Sequence, residues 1–170
     1  MEVKIRPLEP EDAYISVKWR NNPEVFKYTA NTYGHTIVIE DELNWIKQAI
    51  EKTRLKSDYR CAIVADGVYV GNIYLTDISN GKADYHIFIG NKDYWGKGVA
   101  KKASQLIIEY GFFHLGLSEI KLEVHRRNIA AIKLYQSLGF QFVGSECVKA
   151  DFLEMRIVVS PIHTPHPNLN

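Results

Sequence analysis

At 170 residues, with 46% hydrophobic and 24% charged side chains, the chain has the size and composition of one globular domain with room for a substantial core. Lys and Arg total 21 against 20 Asp and Glu, a formal net charge of +1 that argues against a nucleic-acid binder, and no apolar run approaches the ~18 residues of a membrane span. The opening "MEVKIRPLEPEDA" carries acids and an early proline in place of a basic start and an apolar stretch, so it does not read as a secretion signal and the cytoplasm is the expected address.

The alternation in "EVKIRPL", stopped at Pro7, predicts a strand. "PEDAYISVKWRNN" predicts a helix with Glu11 and Asp12 in its first turn, ended by Asn21, Asn22 and Pro23. A second helix over "EDELNWIKQAIEKTR" sets Leu43, Ile46, Ala49 and Ile50 on one stripe behind an acidic start. From Tyr59 follow three β runs, "YRCAIVA", "VYVGNIYLTDI" and "ADYHIFIG", parted by Asp66-Gly67 and by "SNGK", which makes them an antiparallel meander. Cys61 and Cys147 both lie in apolar, strand-like runs, as buried reduced thiols do.

A helix from about Lys97 to His114 comes next, with Val99, Ala103, Leu106, Ile107, Tyr110 and Phe113 mostly on one stripe and Gly116 at its exit. The strand "EIKLEV" leads into a helix over "NIAAIKLYQSLG", capped by Asn128, stopped at Gly139 and turned inward at Ala131, Leu134, Tyr135 and Leu138. "FQFVGSECVK" and "FLEMRIVVS" read as the last strands, whose exposed edges offer a pairing surface for a homodimer. One domain is expected over 1–160, followed by a loosely ordered tail, 161–170, with three prolines and little to bury.

The stretch "DYWGKGVAKKAS" puts Gly96 and Gly98 between a strand and a helix start, where exposed amides and the positive helix end converge on an anion. Lysines there oppose the helix dipole by ~0.3–1 kcal/mol each, so Lys97, Lys101 and Lys102 make sense beside phosphates; the competing reading is solvated lysines on an amphipathic helix. The dinucleotide signature G-x-G-x-x-G fails at Lys101, and no P-loop is present. No His or Cys spacing matches H-E-x-x-H or paired C-x-x-C, so no metal is expected.

"WGKGVA" resembles the acetyl-CoA loop of the GNAT superfamily of N-acetyltransferases, written Q/R-x-x-G-x-G/A: Gly98 and Ala100 match, and Trp95 replaces Gln or Arg, a variation similar to the ribosomal-protein N-terminal acetyltransferase branch. "LEVHRRNIAAIKLYQSLGF" resembles the superfamily's strand-to-helix segment, with Glu123, Asn128, Tyr135, Gly139 and Phe140 at the family separations. The resemblance covers all but the last ten residues. It implies an α/β fold, a mixed and mostly antiparallel sheet of about seven strands flanked by about four helices, with acetyl-CoA as co-substrate. It further implies a pantetheine arm paired with the backbone of Ile87, Phe88 and Ile89, a pyrophosphate held by the amides of Trp95, Gly96, Lys97, Gly98, Val99, Ala100 and Lys101, and contact between Asn128 and the cofactor.

Acetyl transfer from a thioester to an amine needs a neutral amine, a polarised carbonyl and a proton for the departing thiolate. Tyr135 matches the family position near the sulfur and is the expected general acid. Glu123, matching the acid of the fifth strand, and Asp84, near the start of the fourth, remain alternatives for the base, with Glu123 first; either reaches its proton directly or through water. His86 and His125 neighbour these positions and titrate in a suitable range, although histidines there more often pack. The resemblance implies an acceptor site built largely by the first two helices and their connection, where Trp19, Tyr28, Tyr33, His35 and Trp45 lie, each better read as core. The expected function is acetyl transfer to a primary amine: a protein N-terminus, an amino sugar nucleotide or a small amine. The alternative is a non-catalytic acyl-CoA-binding sensor.

Overall fold

The computed structural model describes residues 1–29, 34–144 and 151–159, so Tyr33, Cys147 and the 161–170 tail lie outside the described residues. The two turns of the meander set its central piece. Asp66 and Gly67 (φ 47° and 82°) and Asn80 and Gly81 (φ 49° and 73°) are pairs of left-handed residues, the backbone of tight hairpins that follow strand twist. They join β2 (Tyr59–Ala65), β3 (Val68–Ser79) and β4 (Lys82–Ile89) into antiparallel neighbours, and β1 (Val3–Pro7) pairs with the free edge of β2.

The helix expected after β1 begins later than its acids suggest. Pro10–Asp12 form a single 3-10 turn, and α1 spans Ala13–Arg20. Asp12 is buried and taken up by Arg6, which donates to it at 2.8 and 2.7 Å, and by the Glu9 amide at 2.9 Å, so it fastens β1 to the helix in place of serving the helix dipole. Helix α2 (Ile39–Arg54) follows the predicted stripe.

Beyond β4, α3 (Val99–Phe113) crosses over to β5 (Glu119–His125), which lies parallel to β4; a parallel neighbour requires such a crossover. Then come α4 (Ile129–Ser137), β6 (Gln141–Phe142) and β7 (Phe152–Val158). Among the described residues the sheet has seven strands in the order β1-β2-β3-β4-β5-β7-β6, antiparallel except at β4–β5. Strand β6 holds two residues of the longer run expected there, and 145–150 fall outside the described residues.

Strand alternation sends side chains to two separate cores. Cys61, Ile63, Ile73, Leu75, Ile120 and Met155 meet Ala103 and Ile107 of α3 and Tyr135 of α4 on one face. Ala62, Tyr69 and Tyr74 meet Ala13 and Trp19 of α1 and Ile46 and Ala49 of α2 on the other. Among the described residues no helix is long and apolar enough to cross a membrane.

Candidate active site

The parallel pair at the centre of the sheet is incomplete. Strands β4 and β5 pair only at Lys82↔Glu119, Ala83↔Ile120 and Asp84↔Lys121, although β4 runs on to Ile89 and β5 to His125. Past Asp84 the two arms diverge into a fork, which opens a cleft of about 1440 Å³ lined by Ile87, Phe88 and Ile89 on one arm and Leu122, Glu123, Val124 and His125 on the other. Paired with β3 on one edge, the diverging arm of β4 keeps backbone groups on its other edge available to an extended guest.

The glycine loop and the first turn of α3 form one end of this cleft, through Trp95, Gly96, Gly98, Val99, Ala100 and Lys101. Gly96 and Gly98 have φ of 69° and 78°, and a Cβ on either would touch nothing within 4 Å. The backbone shape therefore demands glycine here, and the space above the loop is open. Gly98 caps α3, leaving the first-turn amides without helical partners as the positive end of the helix.

The lysines expected beside that end divide. Lys101 lines the cleft, Lys97 lies over the Tyr94 ring at 5.7 Å, Lys92 pairs with Glu24 at 2.6 Å, and Lys102 turns away to donate to the Met1 carbonyl at 2.9 Å. Only part of the basic cluster faces the cleft. The Trp95 indole N–H, needing an acceptor, donates to the Ile89 carbonyl at 2.8 Å and so occupies one of the backbone groups expected to meet the pantetheine arm. Asn128 caps α4 by accepting from the Ala131 amide at 3.3 Å and also lines the cleft.

Tyr135 reaches the cleft from α4. It is 8% exposed, its ring meets Tyr85 edge-on at 5.8 Å, and its hydroxyl takes no hydrogen bond among the described residues. Burial pushes its pKa up to about 12. Tyr85 is held in turn by a 2.6 Å hydrogen bond with Ser104 of α3.

Polar groups enter from the opposite face of the sheet. Asp84 is joined by the Lys121 ammonium at 3.3 Å. Glu123, exposed to the cleft, stands opposite Glu154 in the β5–β7 register. Thus Tyr135, Glu123 and Asp84 come together around the fork. His86 joins them, with Nε2 at 3.1 Å from Thr76 Oγ1; it is exposed to the cleft yet ringed by protein, and desolvation lowers its pKa. Its parity with Asp84 on one strand was the sequence signal for this placement.

Of the aromatics, Trp45 and Tyr28 line the cleft, Tyr28 against His125 at 5.6 Å, whereas Trp19 is core, its ring laid on Gly90 where any Cβ would clash. His35 is exposed outside the cleft. Arg20 lies between Glu42, 3.4 Å away, and the Trp45 ring, and Arg60 between Asp58, 2.8 Å away, and the Tyr74 ring, so both arginines stiffen this wall. No group of His, Cys, Asp and Glu among the described residues is arranged to hold a metal.

A family model described as an acetyltransferase (GNAT) domain matches residues 2–141. The spermidine N(1)-acetyltransferase of Escherichia coli (strain K12) is 32% identical over 145 residues, covering 84% of this chain and 74% of that protein. The spermidine N-acetyltransferase of Vibrio cholerae, solved with CoA and spermine, superposes with a TM-score of 0.77 at 22% identity, covering 92% of this chain and 95% of that one. The ribosomal-protein-S5-alanine acetyltransferase of Vibrio fischeri superposes with a TM-score of 0.82 at 16% identity, covering 93% of both chains.

Proposed function

The chain belongs to the GNAT acetyltransferase family, transferring an acetyl group from acetyl-CoA to an amine, and from that premise we propose that its acceptor is a small aliphatic polyamine. The observation that carries this reading is the charge of the fork. Among the described residues, the strands of the fork, β4, β5 and β7, present Asp84, Glu123 and Glu154 beside Lys121, while Arg20, Lys52 and Arg60 line the cleft from α1, α2 and β2; the three carboxylates on the fork make a setting for a multiply charged cation. The likeness to a spermidine N(1)-acetyltransferase over most of the chain supports the same class.

In this reading acetyl-CoA lies in the fork. Its pyrophosphate rests on the amides of Trp95, Gly96, Lys97, Gly98, Val99, Ala100 and Lys101, where the helix end favours negative charge. Its pantetheine arm runs beside Ile87, Phe88 and Ile89, and Asn128 meets it from the start of α4. The thioester then sits at the fork, with Tyr135 on the α3/α4 side to protonate the thiolate, and Glu123 and Asp84 on the α1/α2 side to hold the ammonium. An acetyl-CoA consumer works where acetyl-CoA is kept, which fits a cytoplasmic address.

Thiol release from acetyl-CoA tests the acceptor class across spermidine, a monoamine of similar length, a dipeptide and an amino sugar. A charge-assisted contact is worth ~1.5–3 kcal/mol, so kcat/KM for spermidine is expected to exceed that for the monoamine by about ten- to a hundredfold. Glu123→Gln is expected to erase most of that ratio. Preference for the dipeptide or the amino sugar contradicts the polyamine assignment.

A further inference from the structure

The incoming ammonium must lose a proton before it can attack, and the structure assigns that proton to His86. The assignment rests on the acetyl-transfer reading above and adds a residue to it. The last pair of the β4–β5 ladder is Asp84↔Lys121. Two residues farther along each parallel arm stand His86 and Glu123, on the sheet face toward α1 and α2, with the open fork between them. Tyr85, one residue before His86, points to the other face and touches Tyr135. His86 and Tyr135 thus flank the fork from opposite sides, which suits one group that takes a proton from nitrogen and one that delivers a proton to sulfur.

The imidazole is fixed and still accessible. Thr76 is buried, and its Oγ1 lies 3.1 Å from Nε2; Nδ1 has no hydrogen-bond partner among the described residues. In the tautomer in which Nε2–H donates to Thr76, the lone pair sits on Nδ1. Asp84, by contrast, is already joined by Lys121 at 3.3 Å. Glu123, across the fork, supplies the negative charge that draws the ammonium in.

The charges around the ring suit the task. Desolvation is the largest influence and pushes the pKa down; Arg60 of β2 pushes the same way, while Asp84 of β4, Asp77 of β3 and Asp58 before β2 pull it up. From β5, Lys121 and Glu123 line the same cleft, as do Glu154 of β7, Lys52 of α2 and Arg20 of α1. The ring is consequently neutral at neutral pH, and carboxylates stand by once it is charged.

The steps balance. His86 takes one proton from the alkylammonium, directly or through one water, and the freed lone pair forms a C–N bond to the thioester carbon. As the C–S bond breaks, the thiolate takes the Tyr135 phenolic proton. The nitrogen, still carrying an extra proton, passes it to the tyrosine oxygen and becomes the neutral amide. Imidazolium returns the first proton to solvent, so one acetylated amine, one CoA thiol and one released proton result.

The test uses the full-length protein and its His86→Gln and His86→Ala variants, assayed with acetyl-CoA and spermidine, or with whichever amine ranks first in the panel, from about pH 5.5 to about 9.5. Wild-type log kcat/KM is expected to rise, bend below about pH 6.5 and flatten. His86→Gln is expected to be about 10²–10⁴-fold slower at neutral pH and to keep climbing toward the amine's own pKa of about 10, with an unchanged KM for acetyl-CoA. Added imidazole is expected to restore rate to His86→Ala in proportion to its neutral form. A Gln variant that keeps the wild-type bend, whether slowed or not, reduces His86 to a packing role and overturns the assignment. A wild type that binds acetyl-CoA but releases no thiol with any amine overturns the acetyl-transfer reading, and the His86 role falls with it.

Discussion

Tyr135 shows how burial constrains chemistry at a single residue. A phenol pushed up to about 12 is a weaker acid than the thiol it would make in its proposed role of general acid, whose ordinary pKa is about 8.5. It can serve only by receiving a proton from the intermediate's nitrogen as it gives its own to sulfur, never standing as a free phenolate. Tyr135→Phe removes a hydroxyl with no hydrogen-bond partner among the described residues, so the fold should be spared. The expected outcome is a kcat lower by about 10²–10⁴ with unchanged acetyl-CoA binding and melting temperature. His86 carries the residue-scale pH dependence of stability. Its folded pKa is depressed, so as pH falls through the unfolded value of about 6.5 the unfolded chain binds a proton that the folded one refuses. Stability contributed by the neutral ring is therefore intact above about pH 6.5 and declines below it, toward the lower folded value. Melting temperatures at about pH 7.5 and 5.5 should fall less in His86→Gln than in wild type.

At the scale of elements, the glycine loop and the fork were legible to different degrees. Gly96 and Gly98 before an amphipathic run led to the expectation of an anion site because turn chemistry and helix periodicity are local, and both take the left-handed backbone such a loop needs. Asn128 announced its own cap for the same reason. The fork was not legible, because where two parallel strands stop pairing depends on residues far apart in the chain, and no alternation pattern records it. His86 was weighed beside Asp84 and Glu123 but read as a packing histidine on that account: its face could be read from Asp84, but not that the sheet opens beside it. The destinations of Lys102 and of the Trp95 indole were equally hidden, each set by a tertiary partner. Gly98→Ala tests the loop. Its Cβ would meet no atom within 4 Å, so the cost is conformational, ~1–2 kcal/mol for a left-handed alanine. A free loop that relaxes to relieve this strain must take it up again to bind, so acetyl-CoA affinity measured by calorimetry should weaken by about five- to thirtyfold, with kcat at saturation nearly kept.

The whole molecule is a sheet clamped between two cores that do not merge, one under α3 and α4 and the other under α1 and α2. Each holds one side of the fork: the first carries Tyr135 and α3, the second carries Trp45 and the wall beside His86. Ile107 and Ile46 are fully buried in these two cores, and alanine at either should lower unfolding free energy in urea by about 2–5 kcal/mol. The central claim concerns chemistry at the meeting of the two cores: acetyl-CoA in the fork gives its acetyl group to a polyamine. The most direct measurement mixes wild-type protein with acetyl-CoA and spermidine, follows the free thiol and identifies the amine product by mass spectrometry. Thiol released in step with acetylated spermidine, and only when the amine is present, is the predicted result; thiol released equally without any amine, or saturable acetyl-CoA binding with no acetylated product, contradicts it.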